Sequence, residues 1–365
     1  MKKIWFASSL ILFLFVVFTY FFVDLNFIYL QGLYTGLYRE NRLILTFVYF
    51  ILIFLMFVCY GKILKNNVQK HDKKLFLIPI LGILAYPAAL SFDLFNYIAT
   101  AKVAFHYFEN PYIVMPIEFV NEPVLIFTRA TNKIALYAPL WTFISGLPYS
   151  LSFGNYLAAI VLFKIFISFF YFGVLKLIHK ITGDLKSVLY FAASPLVIIE
   201  TFVSGHNDVV MMFFALLSVY FLKNKKILLA LLFLLCSFLI KYATVFLIPL
   251  FVYYFYKKMK NQEIDRNKFY FAGFILMLIV FFLSPLREEI YPWYAIWPLT
   301  FLTLTNNKFA KTVFAVFTFG LMLRYIPYML TGDYFGLTPV VKISLTFIPP
   351  ALYLAYSLIG NKIRK

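Results

Sequence analysis

The stretch MKKIWFASSLILFLFVVFTYFF (residues 1–22) has a basic start followed by an almost uninterrupted apolar run. A helix of about 20 apolar residues is long enough to cross the hydrocarbon core of a bilayer. The start resembles a signal peptide, but the apolar body is long and no small-residue cleavage site follows it. We therefore expect this stretch to be retained as a first membrane span.

Comparable apolar runs recur along the whole chain. The 365 residues are 63% hydrophobic and only 13% charged, whereas a soluble domain is about 25% charged. The sequence therefore predicts an all-α polytopic membrane protein with a single transmembrane domain (1–365) of about 12 (11–13) spans. The predicted spans are 4–23, 43–60, 75–91, 156–175, 187–203, 209–222, 227–240, 242–256, 269–285, 294–305, 312–329 and 338–360.

One further apolar segment, 137–153, is short and interrupted by Pro139, Gly146 and Pro148. Such broken segments persist at membrane depth only where protein buries them or where they line a cavity. We expect this segment to be re-entrant, because a crossing there would move the later lysine-rich loops to the opposite side.

The charge pattern orients the chain. The net charge is +18, and the lysines and arginines gather in short loops that alternate with less basic ones. By the positive-inside rule, both termini are expected in the cytoplasm and the long loop 92–136 outside. This pattern explains the basic composition without a nucleic-acid partner. We expect a multi-pass protein located in the plasma membrane of a prokaryote.

The outer loop opens with SFDLFNYIATAKVAFHYFENPY (91–112), in which Asp93 heads a predicted helix. Apolar residues recur at helical spacing after it, so we expect the helix to lie in the membrane interface. Asp93 could simply cap the helix. Alternatively, it could be a general base whose pKa is raised by partial desolvation. The helix after Asp93 carries an aromatic surface where a lipid-borne substrate would arrive. This surface favours the role of a general base for Asp93.

Two other polar positions fall between apolar runs. A single helix over 227–256 would be about 45 Å long, so we expect a hairpin that brings Lys241 to the outer side. There it could bind a phosphate or merely extend its amine to the interface. The corner GHND (205–208) contains His206 and Asp208, of which the acid could instead cap the next helix.

Familiar catalytic signatures are missing from the sequence. It contains no P-loop, no G-x-S-x-G, no G-x-G-x-x-G and no H-E-x-x-H. The chain has four histidines, and no two of them show the spacing of a zinc-binding pair. We therefore expect no zinc site and no other cofactor, and the question of a divalent metal is left open. The alternatives are a transporter or flippase, which should show paired broken spans, and a glycan polymerase or ligase.

Several short motifs follow one another in a recognisable order. After Asp93 come FENPY (108–112), YAPL (137–140), GHND (205–208), SFLIKYATVFLIPLF (237–251) and YPWYAIW (291–297). Over about 75–300 the chain resembles the integral-membrane glycosyltransferases of the GT-C superfamily. It is most similar to polyprenol-phosphate-mannose-dependent mannosyltransferases, which include the catalytic subunit of GPI mannosyltransferase I and bacterial relatives. An additional early span and a missing glycine before the NPY ending depart from the family pattern.

The resemblance implies a GT-C-like bundle with an outer catalytic loop at about 92–136. It also implies that a hexose, which is mannose in such families, passes with inversion from a polyprenyl-phosphate donor to a glycan or glycolipid acceptor on the outer face. Asp93 would be the catalytic base. The candidates for binding the donor phosphate are Lys241, Arg287, His206 and Arg324. The candidates for binding substrate are Asp208, Asn207, Tyr97, Tyr112, Trp293 and Tyr294.

Overall fold

The structure is a computed structural model that describes residues 2–363 except 25–26, 31–36, 67–69, 120, 123–124, 126–127 and 287–288. Its described residues form α-helices and short 3-10 segments and no β-strand, as the all-α prediction requires. The α-helices are α1 (Lys2–Thr19), α2 (Leu37–Glu40), α3 (Arg42–Lys65), α4 (Asp93–Phe105), α5 (Pro139–Ser150), α6 (Tyr156–Thr182), α7 (Leu185–Ala192), α8 (Pro195–Ile198), α9 (Asp208–Lys223), α10 (Ile227–Phe238), α11 (Ile248–Met259), α12 (Arg266–Leu283), α13 (Ile296–Thr303), α14 (Lys308–Leu323), α15 (Tyr325–Thr331) and α16 (Thr338–Ile363).

Six helical segments within the described ranges are long and apolar enough to cross a membrane. They are Lys3–Phe22, Arg42–Lys65, Tyr156–Thr182, Arg266–Leu286, Lys308–Thr331 and Thr338–Ile359. A seventh is added if Leu185–Ala192 and Pro195–Val203, which are bent by 58° at the break between them, form one span. The structure supports a polytopic membrane protein, but the predicted count of about 12 spans is not confirmed.

The other predicted spans coincide with shorter helices. For example, α9 has 16 residues, α10 has 12 and α13 has 8, which is fewer than the roughly 20 that a complete crossing needs. Hydropathy alone does not distinguish a complete span from a short helix that is buried among others. The apolar runs were therefore predicted in the right places, and the number of them that cross the membrane stays a prediction.

The core of the bundle lies where α9 packs against α6 and α10. Val209, Met212 and Leu216 on α9 are completely buried. Buried tyrosine hydroxyls donate to backbone carbonyls of neighbouring helices, for example Tyr49 to Met322 at 2.8 Å. Such pairing is needed inside an apolar bundle, where no water satisfies a polar group.

A lysine in the middle of α6 is also buried. Lys164 is completely enclosed, and its Nζ donates to the carbonyl oxygen of Ala85 at 2.5 Å and to that of Ile83 at 3.4 Å. Ile83 lies in the last turn of the 3-10 segment Lys70–Leu84 and Ala85 directly follows it, where helix carbonyls have no partner within the helix. The lysine therefore caps this segment and joins it to α6.

The predicted helix after Asp93 is confirmed as α4, which ends at Phe105. Its apolar side does not face lipid as expected, because Phe95 and Ala101 are completely buried against the protein core. On α5, Gly146 permits close packing of the two helices, since a Cβ there would lie 2.4 Å from the Phe105 ring. This packing holds α4, and Asp93 with it, against the rest of the bundle.

Candidate active site

Asp93 is the first residue of α4, and its side chain points to a buried histidine. The residue preceding the helix, Phe92, provides no side-chain cap. Asp93 Oδ2 lies 3.3 Å from His206 Nδ1, and the Asp93 side chain keeps 23% of its surface exposed while His206 is completely buried. An ionisable group with an accessible carboxylate oxygen suits a reacting residue better than a simple helix cap.

The other nitrogen of His206 faces a second carboxylate. Glu200 Oε2 lies 3.4 Å from His206 Nε2, and Glu200 is completely buried. Its other oxygen accepts a hydrogen bond of 2.9 Å from the Tyr325 hydroxyl. Glu200 lies in a π-helical turn, Ile199–Val203, a distortion that is frequent at functional sites. His206 is therefore held between two acids.

The two carboxylates determine the charge of the imidazole. Burial alone would lower the pKa of His206, but the hydrogen bonds and charges of Asp93 and Glu200 raise the pKa to about 9. Burial would likewise raise the pKa of Asp93, but His206, with Lys241 and the Tyr137 hydroxyl, lowers it below its usual value. The net pKa of Asp93 is thus lowered, not raised as expected, because its neighbours outweigh the effect of desolvation. At neutral pH Asp93 is an anion beside a cationic His206.

A second ion pair lies beside the first. Lys241 Nζ donates to both carboxylate oxygens of Asp208 at 3.0 Å, and Trp297 Nε1 donates to Asp208 Oδ1 at 2.6 Å. The amine also lies 4.8 Å from the centre of the Tyr294 ring. Asp208 is thus a charged partner rather than a helix cap. As predicted, the apolar stretch 227–256 is broken at Lys241, between α10 and the 3-10 segment Tyr242–Leu247.

The aromatic motif Tyr291–Trp297 lies across both ion pairs. The Trp293 ring stacks on His206 with centroids 4.0 Å apart, and the Tyr291 ring stacks on Trp293 at 4.5 Å. The Tyr294 ring stacks on Trp297 at 4.3 Å. A cationic imidazole gains electrostatic stabilisation from the face of an indole. The motif therefore serves as a wall of the site, which an aromatic belt in the interface would not require.

A third charged group lies at the end of α14. Arg324 is 5% exposed; one guanidinium nitrogen donates to Thr346 Oγ1 at 3.1 Å and another lies 3.8 Å from Glu289 Oε2. Lys342 on α16 donates to the same carboxylate at 3.2 and 3.3 Å. Because Arg324 directly precedes Tyr325, whose hydroxyl binds Glu200, this group adjoins the His206 site.

The other predicted substrate contacts are also near the site. The backbone N–H of Asn207 donates to the Tyr97 hydroxyl at 3.3 Å. Asn207 is completely buried, and neither atom of its side-chain amide makes a hydrogen bond to the residues that the structure describes. By contrast, the Tyr112 hydroxyl is engaged by the Tyr137 carbonyl and by Thr142, which favours a scaffolding role. Arg287 lies outside the described residues.

The site offers no obvious place for a metal. Within the described ranges, no three or more histidine, cysteine, aspartate or glutamate side chains are arranged to hold a metal ion. In the Asp93–His206–Glu200 group, the imidazole lies between the carboxylates and contacts them itself.

Comparison with known families agrees with the geometry. The sequence model of a family described as alpha-(1->6)-mannopyranosyltransferase, N-terminal domain, matches residues 25–257, which is more than half of the chain. The chain belongs to this family. The match covers Asp93, Glu200, His206, Asp208 and Lys241, so both ion pairs lie within it. No curated protein and no solved structure gave a significant match.

Membership of this mannosyltransferase family confirms the resemblance found in the sequence. The sequence analysis missed two buried partners of the site, Glu200 and Lys342. Each is the single charged residue of a predicted span, 187–203 and 338–360 respectively. An ionisable residue within a span is by default a functional candidate, and this signal could have identified both.

Proposed function

We propose that the protein transfers mannose from a polyprenyl-phosphate donor to a hydroxyl group of a glycan or glycolipid, with Asp93 as general base. The family supports mannosyl transfer. The observation that carries the base is the partly exposed Asp93 carboxylate, held 3.3 Å from a buried His206. An extracytoplasmic active site, cytoplasmic termini and inversion at the anomeric carbon are further parts of the proposal.

The proposed chemistry is a single displacement. The acceptor oxygen forms a bond to the anomeric carbon of mannose, and the bond from that carbon to the phosphate oxygen breaks. The acceptor proton passes to Asp93, and the polyprenyl phosphate leaves with the bonding electron pair. General bases of this kind typically contribute about 10²–10⁴-fold to the rate.

The surrounding residues keep Asp93 ready for this step. The cationic His206 holds the carboxylate as an anion and, together with the Tyr137 hydroxyl, orients it. The exposed part of the Asp93 side chain would meet the acceptor hydroxyl. Glu200 and Tyr325 fix the imidazole from the other side. This arrangement supports His206 as a positioning residue, and its positive charge would also attract the donor phosphate.

The second ion pair is proposed to contact the substrates as well. Lys241 keeps 14% of its side chain exposed while it binds Asp208, so its amine could also reach a donor oxygen. Once substrate is bound, the buried Asn207 amide would accept a hydrogen bond from a sugar hydroxyl or donate one to it. Trp293 and Tyr294 offer ring faces against which a sugar can pack.

A transfer assay tests this function. Purified protein in lipid would be given radiolabelled polyprenyl-phosphate-mannose or GDP-mannose, each with a mixed glycolipid acceptor extract. The proposal predicts transfer from the lipid-linked donor only, with the anomeric configuration inverted in the product. Transfer from GDP-mannose alone, or retention of configuration, would contradict it.

A further inference from the structure

We propose that Arg324 and Lys342 form the seat for the phosphate of the lipid-linked donor, and that the Glu289 carboxylate occupies this seat until the phosphate displaces it. This inference rests on the proposed function, which identifies the donor as a polyprenyl-phosphate sugar. Of the three residues, only Arg324 is a phosphate-binding candidate in the sequence analysis.

The geometry separates two fixed cations from one exposed anion. The side chains of Arg324 and Lys342 are 6% and 10% exposed, whereas that of Glu289 is 45% exposed. Arg324 is also anchored by Thr346, whose hydroxyl in turn donates to the Lys342 carbonyl at 2.7 Å. Arg324 therefore keeps a hydrogen bond if Glu289 moves. The Lys342 amine is enclosed with 10% of its side chain exposed and lies 5.5 Å from the centre of the Tyr334 ring, which holds it near Arg324. Glu289 itself can move into water without breaking the packing.

The charges of this group do not balance. Two buried cations share a single carboxylate among the described residues, and desolvated charge is unfavourable unless it is neutralised. The other site cations differ, since Lys241 and His206 are matched by Asp208 and Glu200, which are completely buried and cannot leave. An incoming anion would therefore gain the most electrostatic stabilisation at the Arg324–Lys342 pair.

The chemistry of the donor fits an exchange with Glu289. A sugar phosphodiester carries one negative charge, and the departing polyprenyl phosphate approaches two as the glycosidic bond breaks. With Glu289 displaced, two cations would face this growing charge, which stabilises the transition state more than the bound donor. Return of Glu289 to the cations would then help to expel the product.

The position of the seat suits a substrate that arrives in the membrane. Beside Lys342 on α16, Val341 and Ile343 are 40% and 54% exposed, so an apolar tail has a surface to follow. Glu289 begins the segment that continues into Trp293, which stacks on His206. A phosphate on Arg324 and Lys342 would therefore adjoin the site that contains Asp93.

Direct binding tests this inference without relying on catalysis. Native mass spectrometry and thermal shift of the full-length protein in detergent would measure affinity for polyprenyl phosphate and for inorganic phosphate. Lys342→Met should weaken polyprenyl phosphate binding by about 10-fold or more, the effect of losing one charged hydrogen bond. Lys133→Met, in the exposed outer loop, is the matched control and should leave affinity unchanged.

Glu289→Gln gives the opposite prediction. If the carboxylate competes for the cations, its removal should tighten polyprenyl phosphate binding about threefold or more, because a larger fraction of the protein is ready to bind. Glu263→Gln, at an exposed position between α11 and α12, is the control. A Glu289→Gln protein that binds more weakly than wild type would overturn the inference.

The outcomes separate the inference from the function on which it rests. Mannosyl transfer by the wild type, with unchanged polyprenyl phosphate affinity in Lys342→Met, would overturn the inference and leave the proposed function standing. Neither binding nor transfer with any polyprenyl compound would overturn both. Equal competition by inorganic phosphate would show a general anion site and contradict a seat specific for the lipid-linked group.

Discussion

Glu200 is a buried side chain that acts on the proposed base through His206. Its carboxylate is 3.4 Å from His206 and accepts a hydrogen bond from Tyr325. Together with Asp93 it raises the pKa of His206 to about 9. Through the imidazole, Glu200 thus stabilises the anionic form of the proposed base.

Replacing this carboxylate should change how activity depends on pH. Glu200→Gln removes one of the two anions beside His206, so the pKa of His206 should fall from about 9 by about 1 unit or more. His206 then loses its proton at lower pH. Because the cationic imidazole stabilises the Asp93 anion, kcat should decrease at alkaline pH, and in the variant this decrease should begin at a pH lower by the same amount. The measurement is kcat for mannosyl transfer between pH 6 and 10.

The control for this variant is Glu263→Gln, which removes a carboxylate from an exposed position between α11 and α12. It should keep the wild-type profile. If Glu200→Gln lowers kcat equally at every pH, its role is structural and the assigned coupling to His206 is wrong.

The sequence pointed to Asp93, His206, Asp208 and Lys241 because each is an ionisable residue at the edge of an apolar run. The structure brings these four together, although their roles stay predictions. Glu200 carries the same type of signal, but it lies inside a run that was interpreted only as a span. Of its partners, His206 follows closely in the chain, but Tyr325 comes from a distant part of it, and no spacing rule connects the three.

At the scale of helices, the close contact of α14 with α16 sets the proposed phosphate seat. A Cβ on Gly320 would lie 2.3 Å from the Thr346 carbonyl oxygen and 3.0 Å from that of Leu345. These are backbone atoms and cannot rotate away. Arg324, one turn further along, reaches the Thr346 hydroxyl because the helices approach so closely.

Gly320→Ala should therefore separate α14 from α16 and destabilise the protein by about 1–3 kcal/mol, as for other overpacked sites. Thermal unfolding in detergent would measure the loss. Gly61→Ala is the control, since a Cβ there meets no atom within 4 Å, and alanine favours a helix. Equal unfolding temperatures for the two variants would contradict the close contact.

Helices were easier to predict than crossings. The start of α4 follows from Asp93, although the helix already ends at Phe105. The break at Lys241 follows from the length of its apolar stretch. The number of spans does not follow in this way, because a buried half-length helix and a complete span have the same hydropathy.

For the whole molecule, the distribution of lysine and arginine predicts which end of the bundle faces the cytoplasm. Thr182 ends α6 in a lysine-rich region, whereas Lys133 lies in the loop that follows α4. In a background with Cys59 and Cys236 replaced by alanine, Thr182→Cys should be labelled only from the cytoplasm by an impermeant maleimide. Lys133→Cys should be labelled only from outside.

This pair of variants also tests the segment 137–153. Its helix, α5, has 12 residues and would be about 18 Å long, too short to cross alone. Labelling of both cysteines from the same side of the membrane would mean that the number of crossings between them is even and that the proposed orientation is wrong.

The central claim is that Asp93 accepts the proton of the acceptor hydroxyl, and Asp93→Asn tests it most directly. The measurement is kcat for transfer from polyprenyl-phosphate-mannose, with polyprenyl phosphate binding measured in parallel to show that the variant is folded. We predict that kcat falls by about 10²–10⁴-fold while binding changes little. Folded Asp93→Asn protein with a kcat close to that of the wild type would contradict the account.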